Sequence, residues 1–455
     1  MDIRGEVAGA EFGDRRLSGR LVSLAEMLAR GPDLSFPKAA GSDAGLEATY
    51  RFLKNERVTP ERILAPHYGA TVQRCAGARG VVVCHDTTEL RFSGPREGLG
   101  RIAAKDHGFL GHFALGVDAA SRAPLGILGV QTIFRDHKPP EKRERRKPGV
   151  AHEAQRWAHL VDEAQGRLGA ISAVHVMDRE ADGYEFFVHL VRKQHRFVAR
   201  VQFDRDVETQ GGREKISTAV ASAEVLLTRD VTLSERRPAP RAPPSRSKKH
   251  PLRKVRLARL AVSARKVDLV RPAHLDSDLP ATLTVHVVQV REVDAPEGAP
   301  PVEWRLITTE PVGTPEEAAA VVDAYRFRWT IEEYFKALKT GCGYEKRQLE
   351  GRSALLNALA LFAPIAWQLL ALRSLARDAG DTPADVLLSP LKLRVLQGHK
   401  RTKLRLGATM REAMLAIAAL GGHIKNNGDP GWIVLGRGFE DLLLLEHGAA
   451  IALGM

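Results

Sequence analysis

Leu17, Leu21, Leu24 and Leu28 recur at the spacing that lines one face of a helix, and Arg15, Arg16 and Arg20 fall on its other faces. Gly31-Pro32 ends that segment. The stretch FPKAAGSDAGLEATYRFLKNERV then predicts a short helix, a turn at Gly41-Ser42, and a second helix carrying Tyr50, Arg51 and Lys54. This order suits a helix-turn-helix, and ordinary helical packing produces the same pattern.

From residue 81 the period changes. VVVCHDTTEL (81–90), GHFALGVDAA (111–120) and PLGILGVQTIFR (124–135) read as three strands joined by polar turns. EAQRWAHLVDEAQGRL is helical, AVHVMD returns to strand, EADGYEFFVHLVRKQ is helical and HRFVARVQFD is strand again, a βββαβαβ order that predicts an α/β fold. The apolar runs 81–85 and 173–177 each lead into one aspartate, Asp86 and Asp178. Further on, TPEEAAAVVDAYRFRWTIEEYFKALKTG (314–341) opens with a capping box, Thr314 with Glu317, has Pro315 at its first position and closes at Gly341. A second box, Thr330 with Glu333, predicts a break or kink near Trp329.

The length, 455 residues, predicts two or three domains. No uninterrupted apolar stretch approaches the roughly 20 residues that span a bilayer, and MDIRGEVAGAEFGDRR lacks the apolar segment of a secretory signal, so a cytoplasmic location is expected. Cys75, Cys84 and Cys342 are too scattered for a disulfide framework or a thiolate zinc site. The net charge of +13 is concentrated between Arg229 and Lys266, where 13 Lys and Arg face 2 Asp and Glu. Its prolines permit a solvated linker, and its cations equally permit an arm that faces a polyanion such as nucleic acid. No amphipathic apolar face supports a membrane partner.

Asp86 or Asp178 alone would be a helix or turn cap. Two carboxylates at corresponding places of one sheet instead need a cation between them, and oxygen ligands select Mg²⁺ or Mn²⁺. A third acid is then expected. Glu332, Lys336 and Lys339 stand at i, i+4 and i+7, and an unbroken helix would add Tyr325 and Arg328 to that face. Such a face can be a solvated ladder of ion pairs. It can also grip a phosphate beside a metal, because cations and a hydroxyl hold the anion while the acid completes the metal shell.

The series Tyr325-x-x-Arg328-x-x-x-Glu332-x-x-x-x-x-x-Lys339 resembles the Tyr-Arg-Glu-Lys signature of the DDE transposases of the insertion-sequence-four family. YRFRWTIEEYFKALKTGCG, with Lys336, is similar to the family's corresponding stretch, and HDTT and MDREAD resemble its first and second aspartate motifs. FGDRRLSGRLV and ATYRFLKN resemble its N-terminal DNA-binding domain, and LGGHIKNNGDPGWIVLGRGFEDL its C-terminal region.

That resemblance implies an RNase H-like catalytic core in which Asp86, Asp178 and Glu332 bind two divalent ions, Mg²⁺ or Mn²⁺. It also implies cut-and-paste DNA transposition by a synaptic homodimer through a hairpin intermediate, with no organic cofactor. Trp304, 21 residues before Tyr325, matches a family tryptophan that stacks on a flipped base, and Arg200, 22 residues after Asp178, matches a family arginine. With Tyr325, Arg328, Lys336 and Lys339 these would grip the DNA, while Arg15, Arg16, Arg20, Arg51 and Lys54 would contact the terminal repeat. The implied organisation is a terminal-repeat-binding domain over 1–70, a catalytic domain over 71–370 with a β-rich basic insertion at about 206–300, and a helical dimerisation region over 371–455. Two alternatives stay open: a catalytically silent DNA-binding inhibitor, and a structure-specific nuclease without strand transfer.

Overall fold

A computed structural model describes residues 3–100, 102, 106–134, 155–233, 253–299, 301–378, 380–386, 388–424 and 430–454. They divide into two units, Met1–Ala173 with Phe327–Met455, and Val174–Arg326.

The first unit begins with the expected helices. Asp14 caps Arg15–Arg30 by accepting from the Arg16 amide at 2.9 Å. Leu21, Leu24 and Leu28 are buried, while Arg15, Arg16 and Arg20 are exposed. The short helix Phe36–Ala40 ends at Gly41, whose φ of 66° suits a residue without a Cβ. Ser42 then caps the helix Asp43–Leu53 through the Gly45 amide.

β1 (Val81–Ser93) pairs antiparallel with β2 (Asp106–Asp118), which pairs antiparallel with β3 (Pro124–Ile133). The helix Gln155–Leu168 follows, with Leu160, Ala164 and Leu168 packed in one cluster with Val81, Val83 and Leu128. β1 runs on to Ser93, well past the apolar segment, because Thr88, Leu90 and Phe92 alternate inward and keep the ladder going.

The axis of this unit is the helix Arg352–Asp378. Its segment Arg352–Arg377 contains an 18-residue window of mean hydropathy 1.9, long and apolar enough to cross a membrane by length and composition alone, and that window is 94% buried inside the protein. Asn357, Pro364 and Gln368 interrupt the apolar letters and hide that stretch in the sequence, yet Asn357 serves the interior. Asn357 donates to the carbonyls of Leu53 and Val58 at 2.9 and 3.0 Å, and Trp367 donates to Pro124 at 2.9 Å. The expected domain boundaries at 70 and 370 both fall inside helices, Pro60–Ala76 and Arg352–Asp378. The C-terminal helices are Pro390–Gly398, Met410–Leu420 and Trp432–Ala452, and residues 425–429 of the motif between the last two lie outside the described residues.

In the second unit β4 (Ala173–Met177) runs parallel to β5 (Arg196–Arg200), joined through the helix Tyr184–Arg192. The sheet continues through β6 (Asp206–Thr209), β7 (Gly212–Lys215), β8 (Val225–Leu233), β9 (Arg256–Val270), β10 (Thr282–Val293) and β11 (Glu303–Thr308). Its spatial order is β4-β5-β11-β10-β9-β6-β7, with β8 also on β9. Along the chain the first five strands give the predicted βββαβαβ order, which fits an RNase H-like core. The insertion is β-rich, as expected, and residues 234–252 of its basic segment lie outside the described residues.

A buried charge network fixes the N-terminal helix Ile3–Val7 to the rest of its unit. Ile127 donates its amide to His67 Nε2 at 3.0 Å, so Nδ1 carries the proton and donates to Glu6 at 2.6 Å. Arg74 donates to both Glu6 oxygens at 2.8 and 3.1 Å. Burial pushes His67 down from its usual 6.5. Burial alone would raise Glu6, yet the His67 and Arg74 hydrogen bonds hold it below its usual 4.5. Both groups resist protonation when folded, so the stability they contribute is fully present above about pH 6.5 and is lost as pH falls through first the histidine and then the carboxylate range. Thermal melts between pH 8 and 4 should show this decline, and Glu6→Gln should lower stability by about 1–3 kcal/mol at pH 7 and flatten the curve.

Candidate active site

Asp86 lies within β1, opposite Phe113 of β2. Sequence reasoning placed it at a strand end; the apolar run stops there, but the pairing does not. Asp178 does stand immediately after β4, where its Oδ1 accepts the Glu180 amide at 2.8 Å and caps the turn Arg179–Ala181.

The helix of the third acid breaks where the second capping box predicted. Pro315–Arg326 ends, Phe327-Arg328 form a turn, and Trp329–Lys336 begins, with Thr330 and Ile331 bonding back three residues to Phe327 and Arg328. Tyr325 therefore belongs to the second unit and does not join Glu332 on a continuous face. It is buried there, its ring 6.0 Å from that of Trp304. Arg328 and Glu332 belong to the first unit with Asp86. The Arg328 guanidinium donates from Nη1 to Asp86 Oδ2 at 3.0 Å and from Nη2 to Glu332 Oε1 at 2.5 Å. Two carboxylates separated by 246 positions in the sequence thus converge on one cation.

After Lys336 the helix widens. Ala337–Gly341 is one π turn, closed by the Cys342 amide on the Ala337 carbonyl at 2.8 Å. This turn undoes the simple seven-residue face. Exposed Lys336 pairs with Glu333 at 2.6 Å, whereas Lys339 reaches β1, donating to the Glu89 carbonyl at 2.5 Å, with Glu345 at 3.7 Å. Burial holds the Lys339 ammonium below its usual range.

Three features escaped the sequence reading. His112, opposite Thr87 across β1 and β2, shares a hydrogen bond with its Oγ1 at 2.9 Å, and Arg156 donates to the same oxygen at 3.1 Å. Burial pushes His112 down to about 3, so the ring beside Asp86's neighbour is neutral. Trp329 exposes 57% of its surface, with the Arg328 and Lys336 cations each 5.9 Å from its ring. A polar ring in the apolar strand GHFALG, and a tryptophan directly after the helix break, were the available hints.

In the second unit Trp304, on β11, is half-buried rather than core, opposite Val290. Arg200 ends β5 opposite Leu306, two positions along β11 from Trp304. At the N-terminus, Arg16 stays near Asp14 at 3.3 Å and Arg51 near Glu47 at 3.8 Å, both largely exposed, while Lys54 caps its helix from an exposed position. The basic cluster is not uniformly available. Arg229 pairs with Asp323 at 3.0 Å and Arg265 lies 3.8 Å from Glu214. Arg256 forms an ion pair with Glu292, whose side chain is 1% exposed. Lys254, Arg259 and Lys266 are exposed.

The all-oxygen character of Asp86 and Glu332, and the cation already between them, fit a hard divalent ion. The transposase DNA-binding family matches residues 3–58, and the transposase DDE domain family matches residues 78–365. Among solved structures the chain is similar to a piggyBac transposase in a cryo-EM synaptic complex with hairpin DNA, at 11% identity, 83% coverage of this chain, 74% of that one and a TM-score of 0.36.

Removing a cation that holds a buried acid differs from removing one that faces water. Arg256→Gln should cost about 1–3 kcal/mol in a denaturant melt, since Glu292 stays buried without its partner. Arg259→Gln should stay within about 0.5 kcal/mol of the parent.

Proposed function

The chain belongs to the DDE-domain transposases, with a transposase DNA-binding segment at its N-terminus, and on that premise we propose a cut-and-paste enzyme of the insertion-sequence-four type. Asp86, Asp178 and Glu332 hold the divalent ions, Mg²⁺ or Mn²⁺. The convergence of Asp86 and Glu332 on one cationic centre carries this reading. When bound, such ions activate water or a 3′-hydroxyl and stabilise the leaving oxygen.

The protein's own groups position the DNA. Arg328, Lys336, Lys339 and Arg200 hold phosphates near the reacting strand. Tyr325 acts by bracing Trp304, because its ring is buried against that tryptophan. Trp304, half-exposed, offers a face on which an unstacked base rests during hairpin formation. Arg15, Arg16, Arg20, Arg51 and Lys54 read or grip the terminal repeat, in a domain over about residues 1–70. The exposed Lys254, Arg259 and Lys266 add salt-sensitive affinity. Two copies pair through the helical C-terminal region, join the freed end to target DNA and so complete transfer.

Asp86→Asn, Asp178→Asn and Glu332→Gln should each reduce Mg²⁺-dependent nicking of end-sequence DNA by roughly 10³-fold while leaving end binding intact. Full cleavage by any one of them refutes the triad. Strand joining of a pre-cleaved end by the parent separates a transposase from a nuclease. Trp304→Ala should keep the first nick and slow hairpin formation by roughly 5- to 150-fold, the equivalent of about 1–3 kcal/mol of stacking. A normal hairpin rate would instead make Trp304 a packing residue.

A further inference from the structure

Arg328 sits where a cation is required, and it carries only half the charge that two carboxylates call for. Its guanidinium reaches Asp86 at 3.0 Å and Glu332 at 2.5 Å, and its side chain is 13% exposed, against 16% and 30% for the two acids. One guanidinium is thus shared by two carboxylates in a half-buried place. A divalent ion would neutralise the pair completely, but on the oxygens that the guanidinium holds it would meet that positive charge at close range, so the two cations compete for the pair.

We infer that Arg328 is the resident counter-ion of the Asp86–Glu332 pair and is exchanged out when a divalent ion enters, so that loading the metal and freeing the guanidinium are one event. This rests on the reading that Asp86 and Glu332 are metal ligands. It does not depend on where Asp178 lies, since Asp86, Arg328 and Glu332 all belong to one unit.

The backbone around Arg328 suits such an exchange. The residue occupies the turn between two helices, where three-residue hydrogen bonds replace the regular ladder. An alternative resting place is at hand, because the exposed Trp329 ring lies 5.9 Å from the guanidinium carbon. Two consequences follow. Before metal arrives, Arg328 suppresses the repulsion that would push Asp86 and Glu332 apart. Once displaced, its fork of donors becomes free for a phosphate, so metal and DNA bind cooperatively through one side chain without any movement of the strands.

The test uses the full-length protein without DNA, titrated with Mn²⁺ and read by calorimetry and by the electron-spin signal of free Mn²⁺. Arg328→Gln removes the competitor and should bind Mn²⁺ at least tenfold more tightly than the parent. Its metal-free form should melt earlier, and Mn²⁺ should raise its melting temperature more than the parent's. Arg328→Lys, a single ammonium that cannot fork across both acids, should fall between the two. If Arg328→Gln is too unstable to purify, Arg328→Lys decides alone. Affinity equal to or weaker than the parent's in the variant that is measured overturns the exchange. Glu332→Gln serves as the separate control: if it binds Mn²⁺ as the parent does, the metal reading itself fails, and the exchange with it.

Discussion

Two carboxylates brought within reach of one another in a folded chain demand a cation, and much of the first unit is arranged around supplying it. Asp86 needs β1 to be paired on its far side, and β2 provides that along the strand's whole length. Glu332 and Arg328 need a helix that starts beside β1, which the break after Arg326 allows. The His112–Thr87–Arg156 hydrogen bonds brace the residue next to Asp86. Each is a local solution to the same electrostatic demand.

The demand can be met only if the scaffold does not yield. The buried helix Arg352–Asp378 gives that rigidity, and side chains that reach backbone carbonyls tie the N-terminal region and β3 to it: Asn357 to Leu53 and Val58, and Trp367 to Pro124. Arg347 works the same way on the loop before Phe36, donating to the carbonyls of Pro32, Leu34 and Cys342 while lying over the Phe36 and Phe362 rings. Burial lowers this arginine to about 10, and the three carbonyls accept from its Nη1 and Nη2.

Local pattern carried the element order because each strand and helix is amphipathic on its own scale. The turn at Gly41-Ser42, the βββαβαβ succession and the break near Trp329 all follow from residues within one turn or one pleat of each other. What local pattern could not carry is partnership at a distance. Nothing around Arg328 announces Asp86, 242 positions away. Nothing around Arg256 announces Glu292, which turned an apparent arm residue into a structural one. The continuation of β1 beyond Asp86 was missed for a related reason: its later residues alternate instead of forming an apolar run. Asn357 likewise made a core helix look interrupted, because a polar letter does not reveal whether its partner is water or a buried carbonyl.

The π turn at Ala337–Gly341 gives the motif's spacing a different meaning. In a regular helix each residue advances about 100° around the axis, so seven residues bring a side chain back nearly to its starting direction. A wider turn absorbs part of that rotation. The interval between Glu332 and Lys339 therefore works as an angular setting: it aims the ammonium at the Glu89 carbonyl on β1 and turns it from the line of the acid. Deleting one residue here would restore an ordinary helix, shorten the chain by very little, and swing that lysine off the strand altogether.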